Sequence, residues 1–385
     1  MPPKRPNRKG QHDRQRIIGG QKPQSGQNIS GGSKPGQGTK PQPAAPTPPP
    51  ARPPAANQSA PQPTPAALPP EPPPPEAITT TERGQPREEQ VSMQTASSST
   101  VTHPTHHHKV RSIHYSLNYA LQGQEHGTDG AVVLLHGLPG DSFSWRHIMP
   151  ALADQRAVYA FDMLSYGKSD HPWPADVSIW GQADVLAPCL RALNLTNIVL
   201  VGYDVGGGVA QVLATRMASE RVKAIVLVST TCYAQAFAPN WPLPDMLKRQ
   251  EYDAPRRTTE EQLAADFKAT FPTGAADPKV ITHNLLEHYL APWTSEVGKE
   301  NLFQHIRKQL PNYSMSVASD MKWVNKPVLV IWGEKDEVLS PSYAERLHRD
   351  IPGSQLALLP NTGHLVLEEA PDAVANAISK FVSKL

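Results

Sequence analysis

The sequence predicts an α/β fold in which helices cover both faces of a mostly parallel sheet and a helical lid is inserted between two strands. Continuous apolar runs, typical of strands buried on both faces, alternate with amphipathic helical segments. One of these runs stops at an acidic residue among glycines and continues directly as a helical pattern. Farther along, a stretch of helical pieces broken by prolines separates two strands.

The first hundred residues differ from the rest of the chain in composition. They hold 23 of the 42 prolines and show almost no apolar periodicity. Such a segment cannot bury enough apolar surface to offset the entropy of ordering. We therefore expect residues 1–108 to be a disordered, Pro-rich tail, and residues 109–385 to form one α/β domain with its lid at about 230–322.

The tail is basic, since residues 1–40 carry nine Lys and Arg residues against Asp13 alone. A basic arm is compatible with a weak contact to an anion or to another protein. No aromatic residues alternate with these charges, as base stacking would require, so a solvated tail is the favoured interpretation. No metal site is expected at the histidines of residues 103–108, because Cys or carboxylate partners at ligand spacing are missing.

Nothing in the sequence predicts membrane insertion or secretion. It contains no run of about 18 apolar residues and no early segment with the features of a signal peptide. We expect a soluble, cytoplasmic protein without a transmembrane segment, in which Cys189 and Cys232 are reduced thiols.

The predicted elements follow in chain order. The folded part should open with an edge strand at 113–121, and Ser178 should cap a helix that runs to about Leu193. The last predicted element is a helix at about 371–384. Buried strands are expected at 131–135, 157–161, 199–203, 222–229, 327–332 and 355–359.

The strand-turn-helix transition at 199–210 is the feature around which the site is predicted. Its turn residue, Asp204, has Gly202 two positions before it and Gly206 two positions after it. A sharp turn from strand to helix needs small residues at these places, because a neighbouring Cβ would clash with the strained backbone. We therefore expect the Asp204 side chain to stand exposed above the sheet.

An aspartate at this turn restricts the chemistry. A carboxylate that attacks an ester gives a reactive anhydride, whereas attack on a saturated carbon gives an ordinary ester that water can cleave. Asp204 therefore favours hydrolysis of epoxides or carbon–halogen bonds, through an alkyl-enzyme ester.

Several motifs together carry a resemblance to a known family. They are His136-Gly137-Leu138-Pro139, the Gly-x-Asp-x-Gly-Gly elbow, Trp332-Gly333-Glu334-Lys335-Asp336 and Gly363-His364. With these motifs, the span from about residue 110 to 385 resembles α/β-hydrolase fold proteins of the epoxide hydrolase and haloalkane dehalogenase branch.

The resemblance implies a role for each motif. Asp204, Asp336 and His364 occur in the order nucleophile, acid and histidine of that fold. The backbone amides of Leu138 and Val205 are expected to form the oxyanion hole. The chemistry requires no metal or organic cofactor, only a small apolar substrate and water.

The sequence does not decide which side chain assists the departure of the leaving atom. Epoxide hydrolases protonate the epoxide oxygen with two lid tyrosines, and the predicted lid supplies several aromatic side chains. Candidates for this role or for substrate contact are Tyr252, Tyr289, Tyr313, Trp241 and Trp293.

The residue after the nucleophile favours epoxides over halides. Haloalkane dehalogenases typically have a Trp there, which donates its N–H to the halide, and fluoroacetate dehalogenases have an Arg soon after. Val205 and the glycines at 206–208 stand at these positions. Epoxide hydrolysis is therefore the preferred function; dehalogenation and an uncharacterised hydrolase of the same branch are alternatives. A receptor with a lidded pocket is a non-enzymatic alternative, which would not need all three triad residues.

Overall fold

In the part of the chain that the structure describes, the apolar runs of the sequence form the centre of a sheet of eight strands. The computed structural model describes residues 103–123, 130–233, 253–308 and 311–385. Residues 1–102 of the predicted tail lie outside these ranges. The strands are β1 (His106–Arg111), β2 (Ser116–Gln122), β3 (Ala131–Leu135), β4 (Ala157–Phe161), β5 (Ile198–Tyr203), β6 (Val222–Val228), β7 (Val328–Gly333) and β8 (Gln355–Leu359).

The strand order is β1-β2-β4-β3-β5-β6-β7-β8. The pairs β1/β2 and β2/β4 are antiparallel, whereas all the other neighbouring pairs are parallel. The predicted mostly parallel α/β sheet is confirmed. Because β5 lies in the middle, its carboxyl end places the residue that follows it above the centre of the sheet.

Helices cover both faces of the sheet. Alternate residues of each central strand enter two separate apolar clusters, as Val133 and Val132 do on β3. The helices outside the lid are α1 (Met149–Ala153), α2 (Ile179–Ala192), α3 (Val205–Val212), α9 (Ser342–Asp350), α10 (Val366–Glu369) and α11 (Pro371–Val382). Ser178 caps α2 by accepting a hydrogen bond from Gly181 N–H, as predicted.

The amino-terminal edge differs from the prediction. The predicted edge strand at 113–121 is β2 in the structure, and it is an inner strand, because β1 pairs with it from His106 to Arg111. Strand β1 begins three residues before the expected start of the domain at Lys109. Five of its six side chains are exposed, so β1 is held by backbone hydrogen bonds and leaves no apolar pattern in the sequence.

The described residues between β6 and β7 are mostly helical, and we call the segment between these strands the lid. Its described helices are α4 (Ala254–Arg257), α5 (Glu260–Thr270), α6 (His283–Leu290), α7 (Glu296–Arg307) and α8 (Pro311–Met321), with a 3₁₀ turn at Phe271–Gly274. Within the described ranges, no helix is long and apolar enough to cross a bilayer.

Candidate active site

Asp204 lies at the junction of β5 and α3 in a strained backbone conformation. Its φ is +50° and its ψ is −119°, a region that residues with a side chain rarely occupy. Its amide donates to Val228 O at 3.1 Å, and its carbonyl accepts from the amides of Gly207 at 3.1 Å and Thr231 at 3.0 Å. These hydrogen bonds to the neighbouring strand and helix hold the elbow in place.

Three glycines allow the close approaches that the elbow needs. A Cβ on Gly202 would overlap the carbonyl oxygen of Gly206, and a Cβ on Gly206 would overlap the carbonyl oxygen of Leu135, which accounts for the glycine on each side of the turn. A Cβ on Gly137 would lie 2.6 Å from the Asp204 Cβ and 2.7 Å from its Oδ2. The absence of a side chain at Gly137 therefore lets the loop after β3 approach the carboxylate.

The Asp204 carboxylate occupies the predicted oxyanion hole. Leu138 N–H donates to Oδ2 at 3.0 Å, and the Val205 amide also interacts with the carboxylate. Burial raises the pKa of Asp204, although the nearby His364 and the two amides favour its charged form. The group is only 4 % exposed, so the prediction that it stands exposed above the sheet is wrong, because the loop after β3 packs directly against it. Its charge is therefore stabilised by these few partners and little by solvent.

Asp336 and His364 form a buried hydrogen-bonded pair. His364 Nδ1 lies 2.9 Å from Asp336 Oδ2, while Asp336 Oδ1 accepts from the amides of Val338 at 2.9 Å and Leu339 at 2.8 Å. Burial disfavours the charged imidazole, but the Asp336 carboxylate and, to a smaller extent, Asp204 raise the pKa of His364 above its ordinary value. The engaged Nδ1 leaves Nε2 as the nitrogen that can accept a proton.

Comparison with known proteins identifies the family to which this fold belongs. A family model described as alpha/beta hydrolase fold matches residues 130–371. The chain belongs to the alpha/beta hydrolase fold family.

Individual relatives of this α/β hydrolase are distant. It is 26 % identical over 251 residues to the uncharacterised hydrolase YugF of Bacillus subtilis, covering 65 % of this chain and 89 % of the relative. It is 28 % identical over 265 residues to haloalkane dehalogenase 2 of Mycobacterium tuberculosis, covering 66 % and 88 %. The solved structure of the epoxide hydrolase CorEH superposes with a TM-score of 0.59 at 21 % identity, covering 73 % of this chain and 99 % of that one.

Sequence reasoning missed Tyr203, the residue before the elbow. Its hydroxyl donates to the His364 carbonyl oxygen at 3.1 Å, and its ring centroid lies 5.5 Å from that of the imidazole. Burial, together with the Asp204 and Asp336 charges, raises the pKa of Tyr203. As the last residue of an apolar strand, it appears in the sequence only as a core residue, because its partner lies 161 positions away.

The structure assigns Tyr289 and Trp293 to contacts between the lid and the core. The Tyr289 hydroxyl is hydrogen bonded to Glu368 Oε1 at 2.7 Å and to Ser144 Oγ at 3.2 Å. Trp293 Nε1 donates to the Pro139 carbonyl oxygen at 3.2 Å. The polar groups of these two candidates are thus already engaged in anchoring the lid.

The remaining lid candidates are placed differently. The half-buried Tyr313 packs at the margin of the apolar cluster, where Lys308 Nζ lies 5.9 Å from its ring centroid and its carbonyl accepts from Trp180 Nε1 at 3.4 Å. Trp241 and Tyr252 lie outside the described residues.

Other candidate groups have structural roles. His136 is buried between Gly137 O, 2.8 Å from its Nδ1, and Met163 N–H, which donates to Nε2 at 3.1 Å. Cys189 and Cys232 are buried and form no disulfide, and burial raises the pKa of Cys189 to about 12. Among the described residues, His, Cys, Asp and Glu side chains form no group of three or more that could hold a metal ion.

Proposed function

We propose that this α/β hydrolase opens epoxides to diols through an alkyl-enzyme ester on Asp204. The observation that carries the proposal is the identity and setting of the elbow residue. A carboxylate stands at the nucleophile position, with one oxygen bound by Leu138 N–H. The buried Asp336–His364 pair lies close enough for its charges to influence the pKa of Asp204.

The first step uses the carboxylate oxygen that Leu138 does not hold. Asp204 Oδ1 attacks a ring carbon of the epoxide from behind, the carbon–oxygen bond breaks, and the released oxygen takes a proton. Oδ2 remains beside the Leu138 amide and becomes the carbonyl oxygen of the new ester. The amide that binds the resting carboxylate is therefore already placed for the second step.

The second step uses the histidine. His364 Nε2 accepts a proton from a water molecule, which attacks the Asp204 carbonyl carbon, while Asp336 stabilises the imidazolium that forms. The negative charge that develops on Oδ2 is stabilised by the amides of Leu138 and Val205. Collapse of this intermediate breaks the ester bond, releases the diol and regenerates the Asp204 carboxylate.

The acid that protonates the epoxide oxygen is proposed to come from the lid. The Tyr289 hydroxyl donates a hydrogen bond to Glu368, and Trp293 Nε1–H donates one to a backbone carbonyl oxygen. Both side chains therefore serve as anchors of the lid in this account. Tyr313 and Tyr252 remain the candidates for this acid, and Trp241 remains a candidate for substrate contact.

Carbon–halogen hydrolysis is the second candidate function. The 28 % identity to haloalkane dehalogenase 2 favours it. The side chain after the nucleophile disfavours it, because Val205 has no N–H to donate to a halide. Both reactions pass through an ester on Asp204. In epoxide opening the released oxygen stays on the neighbouring carbon as a hydroxyl, whereas in dehalogenation the halide leaves the molecule.

A paired turnover assay tests the proposal. Purified full-length protein is incubated with styrene oxide, with diol measured, and with 1-bromobutane, with bromide measured; Asp204→Asn is the control for each. We expect diol formation that the control lacks. Bromide release without diol would replace the proposal by dehalogenation. If no product forms from epoxides, haloalkanes or related substrates, a ligand receptor would be the better explanation.

A further inference from the structure

Two adjacent carboxylates follow His364 on the short helix α10, and both contact the lid. Glu368 binds Arg146 through two hydrogen bonds, at 2.9 and 2.6 Å, and also accepts from Tyr289 of α6. Glu369 accepts from Gly363 N–H at 3.0 and 3.1 Å and from Ala276 N–H at 2.7 Å. Glu369 thus bridges the residue before His364 to the lid.

The backbone of the histidine loop also packs directly on the lid. His364 N–H donates to the Gly274 carbonyl oxygen at 2.7 Å. A Cβ on Gly363 would lie 2.6 Å from the Ala276 nitrogen and 2.7 Å from the Gly274 oxygen. The lid segment 274–276 therefore leaves no room for the histidine loop to shift toward it.

Glu369 also acts on His364 through its charge. Burial opposes the positive charge of His364, and Glu369 joins Asp336 and Asp204 in raising the pKa of the imidazole. Burial raises the pKa of Glu369 itself, while the amides of Gly363, Ala276 and Asp277 favour its ionised form. A carboxylate at this place therefore influences both where His364 lies and how readily it holds a proton.

We propose that Glu369 is a positioning residue for His364, which couples the docking of the lid to the placement of the catalytic base. The inference rests on the proposed function, in which His364 activates water in the second step. Asp204 attacks without help from His364, so loss of the Glu369 bridge should slow hydrolysis of the ester much more than its formation. The lid would then control the second half of the reaction through two backbone amides.

Pre-steady-state kinetics with styrene oxide test the coupling. Glu369→Ala removes both acceptor oxygens, whereas Glu369→Gln keeps one. We expect Glu369→Ala to lower the rate of ester hydrolysis about ten- to hundredfold, the effect expected of a misplaced catalytic group. Its alkylation rate should change less than about threefold, so the alkyl-enzyme accumulates. Glu369→Gln should lie between Glu369→Ala and wild type. The exposed Glu345→Gln on α9 is the matched control and should match wild type.

Hydrogen exchange provides the second readout, and it does not depend on turnover. Peptides that cover 271–280 and 363–370 should exchange faster together in Glu369→Ala, and an NMR titration should give a lower His364 pKa in both Glu369 variants. Equal slowing of both chemical steps, or unchanged exchange in the two peptides, would overturn the proposal. If wild type forms no ester with any substrate, the proposed function fails, and exchange and titration alone decide the positioning role.

Discussion

At the residue scale, the site depends on charges that are costly to bury. Asp204 is almost fully buried, and burial raises its pKa, yet the proposed attack requires the ionised form. Hydrogen-bond donors and His364 offset part of this cost. Such opposition between burial and function is typical of a catalytic carboxylate and is not needed in a merely structural turn residue.

The charge on Asp336 predicts a specific pH dependence. His364 accepts a proton only when neutral, and Asp336 raises its pKa, so wild-type kcat should fall as the pH drops, with a midpoint above about 6.5. In Asp336→Asn, burial still lowers the pKa but the main opposing charge is gone. The acidic limb should therefore move to lower pH, and kcat should fall on the order of a thousandfold because the imidazole loses its orienting acceptor.

Measurement of kcat from pH 5 to 9 for wild type, Asp336→Asn and Glu345→Gln checks this prediction. An acidic limb that stays in place in Asp336→Asn would contradict the assignment of Asp336 as the partner of the base.

The sequence predicted the role of a residue when the groups that it contacts lie close to it along the chain. Asp204 and its glycines form a local pattern, since the strained turn and the residues that permit it are within two positions of one another. The partners of Tyr289 and Trp293 lie 79 and 154 positions away, so no local pattern could show that their polar groups are engaged. The sequence therefore identified these two aromatic residues as candidates but could not show that they anchor the lid.

At the element scale, the elbow depends on close contact between β5 and α3. Gly202→Ala should destabilise the protein by about 3 kcal/mol, because its Cβ would overlap the backbone of Gly206 and neither element can move away. Gly353→Ala is the matched control. Its φ is +70° and nothing lies within 4 Å of an added Cβ, so only the backbone strain of about 1 kcal/mol remains. Urea unfolding of the two variants gives the comparison, and similar losses would show that the packing argument is incorrect.

The contact between α6 and α10 gives a second prediction at this scale. Tyr289→Phe removes the hydrogen bond to Glu368 but keeps the ring, whose centroid lies 5.2 Å from that of Phe271. We expect a loss of about 2 kcal/mol in unfolding free energy, because the acceptor is charged. Diol formation should change less than about tenfold, since a proton donor would contribute about a hundredfold or more.

Turnover and urea unfolding of Tyr289→Phe, with Tyr313→Phe measured beside it, test this assignment. A loss of a hundredfold or more in diol formation at unchanged stability would return Tyr289 to the role of proton donor.

At the scale of the whole molecule, the sequence predicted the central strands of the sheet better than its amino-terminal edge. The inner strands β3 to β7 are buried on both faces and leave continuous apolar runs that mark them. Strand β1 has mostly exposed side chains and is held by backbone pairing to β2, which no apolar period records. The sequence therefore predicted the buried central strands and placed the edge of the sheet one strand too far inward.

Two truncations test the contribution of β1. A chain that starts at His103 keeps β1, whereas one that starts at Ser112 leaves β2 as an unpaired edge strand. We expect the shorter chain to melt several degrees lower and to self-associate through the newly exposed backbone groups. Thermal melting and size-exclusion chromatography compare the two chains, and equal behaviour would show that β1 contributes nothing to stability.

The central claim is that Asp204 becomes esterified and that His364 removes the ester. Intact-mass and peptide mass spectrometry of His364→Gln after incubation with styrene oxide tests it most directly. We predict an adduct equal in mass to the whole epoxide, located on the peptide that contains Asp204, and none in the double variant Asp204→Asn/His364→Gln. Wild-type turnover in His364→Gln, or an adduct on another residue, would contradict the account.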